Sequence, residues 1–442
     1  MALSDSPRMI VTQPGLDAPV QDFLAMTLGI ALSLALAMGI IEFSTAWFWP
    51  QNGVDFFFTI QRVGGGAFRS ALWMVIALGF MGALIRGPIY ALLGGFGPLA
   101  AFWCVALLSS ALGDDPANSL WFLTLWTAMA CAALSIGTQT SGRHIGTVVA
   151  ITFSIVALIS LLLFVAKPEW GAMQGNGRTL MRGLFLHKNT CGWFGAIGFL
   201  FILSYTSGAN IFRWGVLALC AAIAVLSQSG TALGMMMVGT GFLILLRQLK
   251  QIRVTAAFKV LVIVAFLVVL ALTINYVLPA ITEALEKGQS LRNRESGWNL
   301  YLRFFEGHMV LGRGPGSFVT GTSVINKMIS ETFVNDVNMS VHNMYLALLG
   351  EIGVLGLTAF VGGYLYIVVI GSTQANVNRG DITAAILALA VLGAGFTEAR
   401  DTVVPNVATF LMLLTRASAV KLRYSEMRAR HRSSNSAEPA PA

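Results

Sequence analysis

The chain has 442 residues, 56% of them hydrophobic and 11% charged, with a formal net charge of +8. An ordinary soluble domain carries about 25% charged residues, so a string of soluble domains is excluded. A mean hydropathy of +0.74 over this length calls for many segments that face lipid or one another. The basic residues lie in loops between apolar runs, which ties them to membrane orientation and anionic substrates. No nucleic-acid-binding motif is present. The four cysteines, Cys104, Cys131, Cys191 and Cys220, lie in or beside apolar runs without a paired motif and read as small hydrophobes.

A spanning helix needs about 20 predominantly apolar residues. By that rule the chain is an all-α polytopic membrane bundle of about twelve transmembrane helices. They lie near 23–43, 69–86, 88–111, 119–139, 144–166, 190–206, 210–227, 231–248, 256–279, 344–371, 382–399 and 403–419. The first run, Phe23 to Ile41, is too long for a signal-peptide core and is read as a retained span behind a cytoplasmic segment, 1–22. Arg86-Gly87-Pro88 makes the tightest split between neighbours. Spans one to nine occupy 23–279, and spans ten to twelve occupy 344–419.

Orientation follows from the short basic loops. Arg247, Lys250, Arg253 and Lys259 lie between spans eight and nine, and Lys421, Arg423, Arg428, Arg430 and Arg432 follow the last span. Both groups are predicted cytoplasmic by the positive-inside rule, which twelve spans satisfy. The basic tail, 420–442, ends in a Ser/Pro/Ala-rich stretch from Ser433 and is expected to be disordered. The longest loop, 280–343, then lies outside. It carries Lys287, Arg292, Arg294, Arg303, Arg313 and Lys327. Long loops escape the positive-inside rule, but this load of external cations calls for a reason, and an anionic ligand is one.

Four polar clusters stand out. Arg182 to Asn189 precedes span six, and Ser227-Gln228-Ser229-Gly230-Thr231 joins spans seven and eight. The third runs from Arg292, Arg294 and Trp298 to Gly312-Arg313-Gly314-Pro315-Gly316-Ser317-Phe318. The fourth, His342-Asn343-Met344-Tyr345, opens span ten. The topology puts all four on the outer face. Each also has a plain structural reading. Lys188 and Arg182 serve equally as headgroup anchors, and Ser227 and Ser229 as helix caps. Gly230 and Gly234 have the small-xxx-small spacing that packs helices. The glycine run lacks the Gly-Lys-Ser/Thr of a phosphate-binding loop and reads as a tight turn. Glu351, nine residues after His342, falls on the opposite face of the helix and reads as an interhelical contact. Glu398, Arg400 and Asp401 either join the site or pair with each other.

In this order the clusters resemble the O-antigen ligase/polymerase superfamily of bacterial membrane glycosyltransferases over most of the chain. Gly183-Leu184-Phe185-Leu186-His187-Lys188-Asn189 and the Ser-rich stretch at 227–231 look like the exopolysaccharide polymerase branch. The family's Arg-x-x-x-Trp appears as Arg294 to Trp298. Its Gly-x-Gly-x-Gly-x-Phe falls at Gly312, Gly314, Gly316 and Phe318, and its His-Asn-x-Tyr-Leu at His342 to Leu346. Ser109-Ser110 to Asp115-Pro116 looks like the family's early loop, without its usual Trp-Ser. The resemblance implies an undecaprenyl-diphosphate-linked glycan donor, about twelve spans in the inner membrane and a periplasmic loop with essential Arg and His. Those roles map to Arg294 and His342, with Arg292 nearby.

The chemistry follows from the residue types. Breaking a sugar–phosphate bond leaves growing negative charge on the diphosphate, which arginines hold through bidentate charge-assisted bonds. Arg182, Lys188, Arg292 and Arg294 are the candidates for that task. A sugar hydroxyl needs a base, and imidazole titrates close to neutrality, so His342 is the candidate base. His187, Asn189, Arg313, Asn343, Tyr345 and Arg400 are the further substrate-binding candidates. No metal or cofactor is expected, because the external loops carry no acidic cluster at ligand-like spacing. The partners are the lipid-linked donor, a glycan acceptor (a second lipid-linked repeat or lipid A-core) and membrane lipids, not nucleic acid. Polymerase and ligase differ in the acceptor alone, and the Gly183–Asn189 stretch favours polymerase. A transporter is the alternative of another class. It would bury ionisable groups near mid-membrane, whereas here the charges gather at one surface.

Overall fold

The computed structural model describes residues 18–38, 65–86, 89–175, 178–185, 187–208, 210–252, 254–273, 298, 301–302, 305–317, 342–373, 378–398 and 402–436. Arg292, Arg294 and Arg400 lie outside the described residues, as does most of 280–343.

The apolar runs form helices. In chain order these are α1 (Ala18–Ala37), α2 (Gly65–Arg86), α3 (Ile89–Phe96), α4 (Ala100–Leu112), α5 (Pro116–Gln139), α6 (Gly142–Ala166), the single turn α7 (Pro168–Gly171), α8 (Lys188–Tyr205), α9 (Ile211–Leu226), α10 (Gly230–Gln251), α11 (Ala256–Leu272), α12 (Met344–Thr373), α13 (Arg379–Ala394) and α14 (Val407–Ser436). Short polar side chains start several of them by accepting a backbone N–H of the first turn: Asp115, Ser141, Asn210, Ser229, Thr255 and Asn378. Between α7 and α8 a small antiparallel hairpin pairs β1 (Ala172–Gly175) with β2 (Arg178–Met181), Ala172 opposite Met181.

Among the described residues five helices are long and apolar enough to cross a membrane: Leu92–Leu112, Pro116–Gln139, Gly142–Ala166, Gly230–Gln251 and Met344–Thr373. Shorter apolar helices lie at Phe23–Ala37, Ser70–Met81, Ile211–Leu226 and Ala256–Leu270. Large apolar side chains face outward along α6 (Ile151, Ile155, Leu158, Leu162) and α11 (Leu261, Val264, Val268). Such surface is a liability in water and a proper exterior in lipid. The protein is a helical, multi-pass membrane bundle.

Three expectations change. The run predicted as one span at 88–111 is interrupted by a 3-10 turn, Gly97–Leu99, where Pro98 cannot donate to the α-helical ladder. The span predicted at 344–371 is broken at Gly353, whose backbone (φ 66, ψ −174) is not helical. The tail expected to be disordered from 420 is helical to Ser436. Its Lys, Leu, Arg, Glu, Met and Ala residues are strong helix formers, and tertiary contacts brace it. Arg423 donates to Asp381 (2.6 Å), which also receives Arg416 (3.3 Å). The Tyr424 ring stacks on Tyr90 at 3.5 Å.

The centre is built from α8 and α13, which are buried nearly all round, as helices without a polar face must be. Lipid gives no hydrophobic drive between spans, so close packing and polar bonds hold them together. On α8, Gly192, Gly195 and Gly198 leave no room for a methyl group against Ser227 and Ser229, the Cys220 carbonyl, and Phe153. The packing expected of Gly230 and Gly234 is not seen: no described atom stands within 4 Å of a Cβ built on either. Ser204 bonds Thr383 (2.9 Å) and Tyr364 bonds Thr409 (2.8 Å) between buried helices, each worth about 0.6–2 kcal/mol in such a setting.

Candidate active site

At one end of the bundle, three of the polar clusters meet at Glu398. This residue follows α13 in a turn whose Thr397 and Glu398 N–H groups both donate to the Ala394 carbonyl. Asn189, in the first turn of α8, donates from Nδ2 to Glu398 Oε1 at 2.7 Å. The other carboxylate oxygen faces His342 Nδ1 at 3.7 Å, an ion-pair separation longer than a hydrogen bond. Glu398 is 5% exposed and His342 30%, so the carboxylate is withdrawn while the imidazole reaches outward. Thr397 Oγ1 bonds Thr231 Oγ1 at 2.7 Å, which brings the Ser-rich turn to the same place.

His342 is held there by its backbone. Its φ of 42 is left-handed, uncommon for a side chain with a Cβ and found where surrounding structure enforces it. The next residues lock the conformation. Asn343 Oδ1 accepts the Tyr345 and Leu346 N–H groups, Met344 N–H donates to the Gly395 carbonyl at 2.7 Å, and the Tyr345 hydroxyl donates to the Leu392 carbonyl. The start of α12 is thus bolted to the end of α13. A carboxylate on the Nδ1 side favours the tautomer protonated there and leaves Nε2 as the proton-accepting nitrogen. Such a pair is chemically able to act as a base beside an orienting carboxylate.

Deeper along α12 the glycine run meets the helix break. At Gly353 the helical ladder is interrupted, and residues 309–314 supply the missing partners. Arg313 and Gly314 N–H groups donate to the Gly350 and Glu351 carbonyls (2.8 and 2.9 Å), and Val354 N–H donates to the Met309 carbonyl (2.8 Å). Ser109 Oγ, near the end of α4, also donates to the Glu351 carbonyl (2.8 Å). Gly312, Gly314 and Gly316 all have positive φ, and a Cβ on them would strike Glu351, Ser119 and Phe122. The run is therefore more than a turn; it is a backbone plug made possible by missing side chains. Glu351 is fully buried, and the Gly316 N–H is directed at its carboxyl.

The other sequence candidates are distributed around these two places. His187 caps α8, its Nδ1 accepting the Asn189 N–H at 3.1 Å. Lys188 opens α8, with its N–H on Met173 Sδ. Arg182 is tied to the main chain beside the hairpin, Nε to the Trp170 carbonyl at 2.7 Å and Nη2 to that of Glu169 at 3.3 Å. Burial pushes its guanidinium pKa down. Arg313 is not at Glu398; its Nη1 pairs with Asp114 at 2.8 Å. Sequence reading left Glu398 undecided and missed Asp114 and Thr397. Glu398 differs from other acids only in lying just past the end of an apolar run.

Residues 215–361 match the family model described as O-antigen ligase. This match supports membership of the O-antigen ligase/polymerase superfamily. It covers about a third of the chain and takes in α10, the glycine run and His342. Similarity to this family supports, at a coarse level, an enzyme that acts on lipid-linked glycans. No curated protein matches the chain.

Proposed function

We propose that this protein is a glycosyltransferase that polymerises undecaprenyl-diphosphate-linked oligosaccharide repeat units into exopolysaccharide or O-antigen. It works at the periplasmic face of the bacterial inner membrane. The convergence of Asn189 and His342 on buried Glu398, in a chain with an O-antigen ligase match, carries the reading. About twelve spans surround the site, with the loop 280–343 outside and the N-terminal segment and basic tail in the cytoplasm.

His342 takes the proton from the acceptor sugar hydroxyl, which attacks the anomeric carbon of the donor. The bond from that carbon to the phosphate oxygen breaks, and the electron pair leaves with the lipid diphosphate. Arg294 and Arg292 hold that growing charge together with Lys188 and Arg182, so stabilisation is greatest in the transition state. Glu398 positions His342 and stabilises its charged form after proton transfer, and Asn189 positions Glu398. His187, Arg313 and Arg400 contact the glycan. Asn343 and Tyr345 shape its binding through the first turn of α12.

The test is to incubate purified protein with the host's lipid-linked repeat unit alone and resolve the products on a gel. A ladder of lengthening glycan, absent with His342→Ala, is expected. Transfer that appears only when lipid A-core is added makes the protein a ligase instead. Near wild-type transfer by a folded His342→Ala sample would overturn the base assignment.

A further inference from the structure

The opposite end of the bundle carries a cavity of about 1060 Å³ that the transfer reaction does not use. Three helices connect the two ends. α8 carries Asn189 on Glu398 in its first turn and ends at Tyr205 on the cavity wall; α10 has Thr231 in its first turn and brings Lys250 to the cavity; α13 begins there with Arg379 and ends just before Thr397. The 18 residues of α8 put roughly 27 Å between them.

Five cations line this cavity, one from each of five helices: Arg143, Arg213, Lys250, Arg379 and Lys421. No Asp or Glu is among the described lining residues. A second cavity of about 320 Å³ shares Arg213, Lys250 and Arg379 and adds Arg247. The nearby acid is already committed: Asp381, two residues from Arg379, is fully buried between Arg416 and Arg423. Arg213 is spent on the end of α8, bonding Thr206 Oγ1 and the Gly208 and Leu203 carbonyls, all at 3.1 Å. No side-chain hydrogen bond or ion pair ties the Arg143 or Arg379 guanidinium among the described residues. The N-cap residues of α6, α9 and α13 (Ser141, Asn210 and Asn378) also line the cavity, so three positive helix ends add to the cationic field.

Basic residues at cytoplasmic helix ends orient membrane proteins without binding anything, but that role needs no concavity and no convergence. The cavity's form says more. From Arg143 it follows α6 past Gly146 to Ala150, and Ile202 and Phe212 join its wall. That is roughly 10 Å of helix leading from a charged mouth into an apolar groove. We propose that the cavity binds a phosphate-bearing anion, supplied by the headgroup of a membrane lipid whose chain lies along α6. Burial pushes the Lys421 pKa down, a cost that a bound phosphate would offset.

The test uses the full chain in detergent, with phosphatidylglycerol and inorganic pyrophosphate as separate probes, followed by native mass spectrometry and thermal unfolding. Phosphatidylglycerol is expected to bind saturably and raise the unfolding temperature. Binding should weaken at least about tenfold in Arg143→Gln/Arg379→Gln, since each guanidinium contributes charge-assisted bonds. Lys259→Gln, a neutralised cation outside the cavity, should leave binding unchanged. The double variant should unfold like wild type without probe, since neither arginine ties the described fold together. Pyrophosphate binding with the same variant pattern, and none by the lipid, would keep the phosphate chemistry and overturn the lipid source. Binding of neither probe, or equal loss in Lys259→Gln, would overturn the site.

Discussion

At Glu398 the side chain is the hub: one oxygen takes the Asn189 amide and the other faces His342. At Glu351, equally withdrawn from solvent, the main chain is the hub. Its carbonyl takes Gly314 N–H and Ser109 Oγ, and the glycines around it are chosen for what they lack. The first region is defined by functional groups and the second by the absence of Cβ atoms. Substitutions should therefore separate them: the first loses chemistry with the fold intact, the second loses the fold before the chemistry.

The largest effect expected is that of His342→Ala, a loss of about 10²–10⁴ in transfer rate with an unchanged unfolding temperature. Next comes Glu398→Gln, which preserves shape and removes charge. Partners of this kind are worth roughly 10–100-fold, read in the same glycan ladder, whereas Glu351→Gln should move the unfolding temperature rather than turnover. If both glutamates behave alike, the contrast between the regions fails. Gly353→Ala follows: a positive φ costs about 1–3 kcal/mol with a Cβ, and the Val310 carbonyl stands in the way. Its signature is lower yield and a lower unfolding midpoint, with the surviving protein turning over normally. The smallest effect on stability belongs to Arg313→Gln. Its pair with Asp114 is partly exposed and contributes less than about 1 kcal/mol, so a large drop in transfer would show a direct role on the glycan.

The same contrast explains what could be read from sequence. Where the helix ends lie among the described residues, apolar runs predicted them to within a few residues except at α14, because burial in lipid is a local demand on composition. The break at Gly353 was hidden because its partners lie some forty residues earlier in the glycine run. The extended α14 was hidden because its charges read as a solvated tail, while Arg423 and Tyr424 find partners on α13 and α3. His342 and Asn189 were legible within motifs of distinctive residue types. Glu398 was not, since an acid beyond a helix end has no periodicity to mark it, and only the packing of α13 against α8 and α12 brings it to them.

Arg416 lies within α14, 5% exposed, with Asp381 of α13 as its buried partner. An arginine costs about 2.5–3.5 kcal/mol at the centre of a span on leaving the translocon for lipid, and less toward its end. α13 is synthesised first and offers the carboxylate, so the two helices should enter the bilayer as a hairpin. In the proposed topology, insertion of the last two helices then depends on one aspartate. With Asp381→Asn, α14 should be left stranded on the wrong side in a fraction of chains, and a cysteine placed after Ser436 would become open to labelling from the periplasm.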